Sequence, residues 1–261
     1  DWYIIRAPKW VGFANYEELF FHDRMFWQSI GVTLKYTVMS LPIYMAAGLG
    51  LSLLLNLKVR GINVFRTILF IPAALSGVAV AILWVSLLNP DVGALNQILH
   101  AIGIANPPRW LGSPTWAVPA MVIVCLCGVG GGAIIYLAGL QNIPPQLYEA
   151  ATVDGANAWQ KFIYVTWPMM TPTMLYVLLT SLIGSFQMFD VAYIMGGSQG
   201  GVGGSLRFYL INLWNQGFRN GRMGYASALA WIMVLFAAVI ILAIFRTSSR
   251  WVYYEYEPEK V

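Results

Sequence analysis

Charge is what this sequence has least of: 10% of its 261 residues are Asp, Glu, Lys or Arg, where a soluble globular domain carries roughly 25%. That scarcity excludes an ordinary water-soluble fold. Histidine and cysteine are almost missing as well, with two of each. His22 and His100 stand alone. Cys125 and Cys127 lie inside an apolar run, where helix neighbours at that spacing point apart, so both read as small packing residues and not as a disulfide or metal pair. The sequence also lacks a nucleophile elbow, paired carboxylates and a nucleotide-binding motif, which removes the common enzyme classes. Residues 196–204 are rich in glycine, yet no Lys-Ser or Lys-Thr follows them and no strand-to-helix turn holds them, so a phosphate cradle is excluded too. The net charge of +4 comes from scattered bases. Without a basic stripe there is no nucleic-acid surface.

What is abundant is apolar sequence, 59% of the chain. Five stretches reach the roughly 20 residues that cross a hydrocarbon core of about 30 Å as a helix: 30–56, 67–88, 116–140, 169–189 and 225–245. In lipid every backbone polar group needs an internal partner, and none of the five shows the two-residue alternation of a barrel strand, so all are expected to be helical. No charged residue occurs between Arg109 and Glu149, and none between Lys161 and Asp190. The tryptophans and tyrosines near the start (Trp2, Tyr3, Trp10, Tyr16, Trp27) are of the kind that sit at a membrane surface. Residues 89–115 read as a Pro-, Gly- and Asn-rich connection, and the end of the chain, with Glu255, Glu257, Glu259 and Lys260, as a solvated tail. Basic residues are balanced between the two sides, so charge alone does not orient the chain.

The charges that interrupt the apolar runs cluster in a loop with its own helical logic, 144–168. Pro144-Pro145 ends one helix and suits the first turn of the next; Leu147, Ala150 and Ala151 share a face; Gly155 permits a left-handed cap. A short amphipathic helix, a sharp turn and a second helix entering the membrane at Trp167-Pro168 are predicted. The residues Glu149-Ala150-Ala151, then three positions to Gly155, then nine to Val165-Thr166-Trp167-Pro168, resemble the EAA loop of the membrane subunits of bacterial ABC importers, with pattern E-A-A, three residues, G, nine residues, I-x-L-P. Val165 and Trp167 replace the Ile and Leu of that pattern. The resemblance continues through Phe65-Arg66-Thr67-Ile68-Leu69-Phe70-Ile71-Pro72, 84–96, 137–144 and Ser185-Phe186-Gln187-Met188-Phe189-Asp190. It is closest to the carbohydrate-uptake permeases of the maltose and glycerol-phosphate type. The turn after the fourth run departs from it: Gly196-Gly197-Ser198-Gln199 stands where family members carry T-x-G-G-P.

That resemblance implies an all-α polytopic bundle of the type I importer permease fold in a bacterial inner membrane, forming half of a translocation pore. It implies one further span upstream of Asp1, a second homologous permease, two ATP-binding subunits that hold the ATP and Mg, and an extracytoplasmic solute-binding protein, with no cofactor in this chain. Glu149, Ala150, Ala151, Asp154, Gly155 and Pro168 would form the coupling loop that docks the ATPase from the cytoplasm. Glu149 either pairs with a base on that partner or caps its own helix. Substrate positions carried over by register fall at Ser76, Gly77, Gly128, Gly131, Ser181 and Ser185, with Val124 where sugar-binding members have a polar group. For the serines the alternative is a bond to their own helix backbone; for Gly128 and 130–132 it is close helix packing. A sugar is the expected substrate, with glycerol phosphate or another polyol derivative as the alternative. An ion-coupled secondary transporter would need intramembrane charges, and the runs are nearly free of them. Asp190 sits at the end of a run and is either functional or a boundary residue.

Overall fold

The computed structural model describes residues 9–57 and 59–253. Trp2, Tyr3, Lys58 and the acidic tail beyond Tyr253 lie outside the described residues. Within them the chain is helical and forms no sheet. Three helices are long and apolar enough to cross a membrane: Arg24–Leu55 (α1), Ala158–Phe186, and Met223–Ser248. Two further candidates are helix pairs, each bent at a short break: Ile62–Ala74 (α2) with Gly77–Leu87 (α3), and Ala117–Leu126 (α5) with Val129–Gln141 (α6). Between these pairs lies a short helix, Ala94–Ala101 (α4), inside the stretch expected to be a plain connection.

Each of the five apolar runs overlaps one of these elements, and two of the elements are interrupted. The first break has Ser76 in extended backbone, φ −60° and ψ 134°; the second has Gly128 at φ −87° and ψ 3°. Pro42 in α1 and Pro72 in α2 lie inside helices, where each removes one backbone donor. That is tolerated in membrane helices because neighbouring groups satisfy the freed carbonyl. Large apolar side chains face outward along the spans: Val38, Leu54, Val239 and Leu242 are all more than 60% exposed. Water would not tolerate that surface; lipid or a partner helix does.

The chain divides into two compact units. One contains 1–41, 75–126 and 182–239; the other contains 42–74, 127–181 and 240–261. In the first, Tyr36, Met121, Leu206, Phe208 and Ile211 form the main core, with Tyr36 and Phe208 edge-to-face at 5.2 Å between ring centroids. Here α3 packs against Asp190–Gly196 (α9) and α5. A second cluster joins Leu19, Phe26, Tyr209, Tyr225 and Leu229. Asp23 caps α1 by accepting the Met25 and Phe26 N–H groups at 2.8 and 3.1 Å, and its other oxygen accepts from the Tyr225 hydroxyl at 2.6 Å. Beside it Arg222 forks onto Glu18, with distances of 2.8 and 2.5 Å, and this guanidinium bond holds the Glu18 carboxyl below its ordinary pKa.

In the second unit Tyr136, Leu140, Met170, Met174 and Val177 form the core. Here α2 crosses α6 at Gly130, where a Cβ would lie 2.1 Å from the Leu69 carbonyl oxygen. Only glycine allows the two backbones this close. Arg66 donates to the Leu55 carbonyl at 2.9 Å, closing the end of α1.

Candidate coupling loop and membrane-buried positions

The predicted loop 144–168 folds into a short exposed helix and a second arm that runs into a span. Pro145 occupies the first position of the helix Pro145–Val153 (α7), where its missing N–H costs nothing. At the other end Gly155 adopts φ +76°. The Gly155 N–H donates to the Thr152 carbonyl at 3.1 Å and the Ala156 N–H to the Ala151 carbonyl at 2.9 Å. These two bonds are the Schellman closure, and they depend on a left-handed residue between them.

The chain restarts at once. Asn157 accepts from the Gln160 N–H while Gln160 accepts from the Asn157 N–H, at 2.9 and 2.8 Å, a complete capping box. Helix Ala158–Lys161 then continues through a π-turn, Phe162–Thr166, into Trp167–Phe186 (α8). The two arms are tied twice. The Tyr148 and Thr166 hydroxyls lie 2.9 Å apart, and Lys161 Nζ donates to Thr152 Oγ1 at 2.8 Å. At the base, Thr171 donates to the Pro168 carbonyl at 2.6 Å and accepts the Tyr253 N–H at 2.8 Å.

Glu149, Ala150, Asp154 and Gly155 are exposed, Ala151 and Pro168 half-buried. Val153 is 88% exposed. No described base pairs with Glu149 or Asp154. The loop therefore presents an apolar ridge with two carboxylates that no described base pairs, on a frame held by its own caps.

The membrane-buried positions are scattered by comparison. Ser76 and Gly77 are exposed at the break before α3, and the Ser76 side chain makes no cap bond. Gly128 is half-buried at the break before α6, with its carbonyl 3.5 Å from the Tyr44 hydroxyl. Gly131 has room, meeting only Ala73 Cβ at 3.7 Å, whereas a Cβ on Gly132 would press on the Tyr44 ring at 3.0 to 3.2 Å. Val124 is buried. Ser181 is half-buried, with no hydrogen bond from its hydroxyl. Ser185 is buried, donates to the Leu182 carbonyl at 2.7 Å and lies 2.9 Å from Thr37 Oγ1. Its hydroxyl is thus occupied by its own helix and by α1, and of the two serines Ser181 is the one with no hydroxyl partner among the described residues. Asp190 is exposed at the first turn of α9.

Comparison with known proteins decides the class. Residues 37–258 match the family model described as "Binding-protein-dependent transport system inner membrane component". The chain belongs to that family. Among relatives, it is 37% identical over 98% of its length to a probable ABC transporter permease, YesP of Bacillus subtilis (strain 168), covering 83% of that protein. It is 36% identical over 89% of its length to the lactose transport system permease LacF of Rhizobium radiobacter, covering 78% of it. Among solved structures, a bacterial ABC transporter involved in the import of the acidic polysaccharide alginate matches 92% of this chain and 84% of its own with a TM-score of 0.82 and 28% identity.

As a binding-protein-dependent permease the chain is an all-helical, multi-pass inner-membrane transport component. Sequence reasoning found the loop but not its ties. The capping box was missed as well, although the N-x-x-Q spacing of Asn157 and Gln160 is a signal that could have found it. The Tyr148–Thr166 and Lys161–Thr152 contacts and the Tyr253 latch join residues 9 to 82 positions apart, and no local pattern announces them.

Proposed function

We propose that this permease forms half of the pore of a saccharide importer, paired with a second homologous permease and served by an extracytoplasmic solute-binding protein. It is driven by two separate ATP-binding subunits, which carry the ATP and Mg. The observation that carries the coupling role is α7, an exposed apolar ridge closed at Gly155 and flanked by Glu149 and Asp154, neither paired among the described residues. A surface of that kind, on a loop between two spans, suits a cleft in a soluble partner. Ala150 and Ala151 let that partner approach the helix backbone, and Pro168 starts the span that receives the movement. Closure of the ATP-binding subunits would displace the loop and switch the helix pack between two arrangements, each open to one side.

The saccharide assignment is supported by LacF and by the alginate transporter. Within the membrane, Ser181 and Gly131 in one unit, and separately Ser76 and Gly77 in the other, are the positions proposed for substrate contact, with Gly128 shaping the backbone at the break before α6. Ser185 would support α1 and α8 in this arrangement, its hydroxyl becoming available only if the Thr37 contact opens. Proteoliposomes containing the complete importer test the proposal: ATP-dependent uptake of a saccharide delivered by the binding protein is expected. Co-purification of the ATPase should be lost on Glu149→Lys with insertion unchanged. Normal co-purification and normal uptake in that variant would overturn the coupling role.

A further inference from the structure

The glycine-rich loop 196–204 does not serve the coupling role, and it is too deliberately built to be slack chain. Gly197, Gly200, Gly201, Gly203 and Gly204 all have φ between +62° and +74°, a region that side-chain-bearing residues rarely enter. The loop's carbonyls are then held by side chains. Gln28 donates to Gly203 at 2.7 Å, Arg207 to Gln199 at 3.1 Å, and Asn215 to Ser198 at 2.6 Å. A Cβ on Gly204 would fall 2.6 Å from the Gln28 amide nitrogen, and one on Gly200 2.5 Å from the Arg207 backbone.

Two guanidinium groups border this frame: Arg207, half-buried and bonded twice, is held by it, and Arg219, exposed, contacts it once. Arg207 meets only neutral oxygens, those of Gln199 and of the Gln28 side chain at 3.4 Å, and Arg219 donates only to the Ser198 hydroxyl. Neither has a carboxylate partner among the described residues. Glu18 and Asp23 in the same unit are already held, the first by Arg222 and the second by the α1 N-terminus and Tyr225. Each guanidinium has five donors in a planar fork suited to a carboxylate, and the bonds above use at most two on Arg207 and one on Arg219. A side chain already positioned, as Arg207 is, loses little freedom on binding.

We infer that Arg207 and Arg219 recognise the carboxylate groups of an acidic, uronate-containing saccharide on its way into the pore. The inference rests on the saccharide reading and narrows its substrate class. The test uses the complete importer in proteoliposomes with its binding protein at saturating concentration, loaded with either a uronate trisaccharide or a neutral trisaccharide. Wild type should import the uronate. Arg219→Gln should slow that uptake about tenfold or more, as expected for loss of a charge-assisted hydrogen bond, and change import of the neutral sugar less than twofold. The loss should shrink at high salt. Arg219→Lys, which keeps the charge and loses the fork, should fall between, and Arg207→Lys should behave alike with the melting temperature kept near wild type.

Wild-type import of the neutral sugar alone would overturn the inference and leave the saccharide reading standing; import of neither would overturn both. Equal slowing of both sugars, with weaker docking of the loaded binding protein, would also overturn it, by placing the recognised carboxylates on the binding protein.

Discussion

The candidate coupling loop and the glycine-rich loop reach stiffness by opposite means. The first is made of helix: α7, one left-handed glycine, a capping box and a second arm that continues into α8. Its backbone bonds are mostly internal, and its ties to the rest are side-chain contacts on one flank. The second has almost no repeating structure. It takes its shape from five left-handed glycines and its hold from Gln28, Arg207 and Asn215. A helix-built loop can shift as a body and keep its internal bonds. A loop whose carbonyls are bonded to two other helices and to Arg207 just beyond its end cannot move without breaking those bonds, so the first suits transmission of motion and the second a fixed surface.

Substitution at the glycines tests that contrast most severely. Gly155→Pro should abolish uptake while the protein still inserts, because proline cannot take φ +76° and removes the N–H that bonds Thr152. Uptake and co-purification of the ATPase, both unchanged, would contradict the role given to this cap. Gly200→Ala should destabilise the protein more than Gly155→Ala does, since both meet the left-handed penalty of about 1–2 kcal/mol but only Gly200 adds a clash with neighbouring backbone, worth roughly 1–3 kcal/mol. Thermal unfolding in detergent ranks the two, and equal shifts would remove the distinction between a capped helix and a strapped loop.

A smaller effect is expected at Tyr148→Phe, which deletes the tie to Thr166. A loss of about 0.5–1.5 kcal/mol in unfolding free energy is anticipated, together with a higher ATP cost per saccharide imported. An unchanged ratio would mean the second arm moves with α7 without that bond. The smallest effect belongs to the Glu18–Arg222 pair, a partly exposed ion pair of the kind worth about 0–1 kcal/mol. Because the folded-state pKa of Glu18 is lowered, its contribution is present above the unfolded-state value and disappears as pH falls through the folded one. The stability gap between wild type and Glu18→Gln should therefore close in acid. A gap that is flat with pH would assign Glu18 a packing role instead.

How much of this was legible follows the range of the interactions. The runs, the loop and the two ends of its first helix were readable, because charge gaps, Pro144-Pro145 and Gly155 act over a few residues; the Asn157–Gln160 box is as local but was not read. The break at Ser76 was not, since Leu75-Ser76 carries no helix-breaking residue. α4 was hidden inside a connection full of turn residues, although Asn96, whose amide donates to the Pro90 and Pro108 carbonyls and accepts from the Trp110 indole, is what folds that connection. For Ser185, sequence left two readings, and the choice depended on Thr37, 148 residues away. Gly130 was visible as part of a glycine cluster, but the Leu69 carbonyl that forbids a side chain there came only with the crossing of α2 and α6.

Thr171 has a consequence for anyone who handles this protein. One hydroxyl oxygen joins the carbonyl of Pro168 to the amide of Tyr253, so the first turn of α8 and the last described residues of the chain share a rivet. An affinity handle or fluorophore fused behind Tyr253 is thereby attached, through a single oxygen, to the turn that receives the coupling loop's second arm. Load applied to such a fusion reaches α8 through that oxygen as well as Met223–Ser248 through the chain itself, so a label there is placed to follow the second arm of the candidate coupling loop.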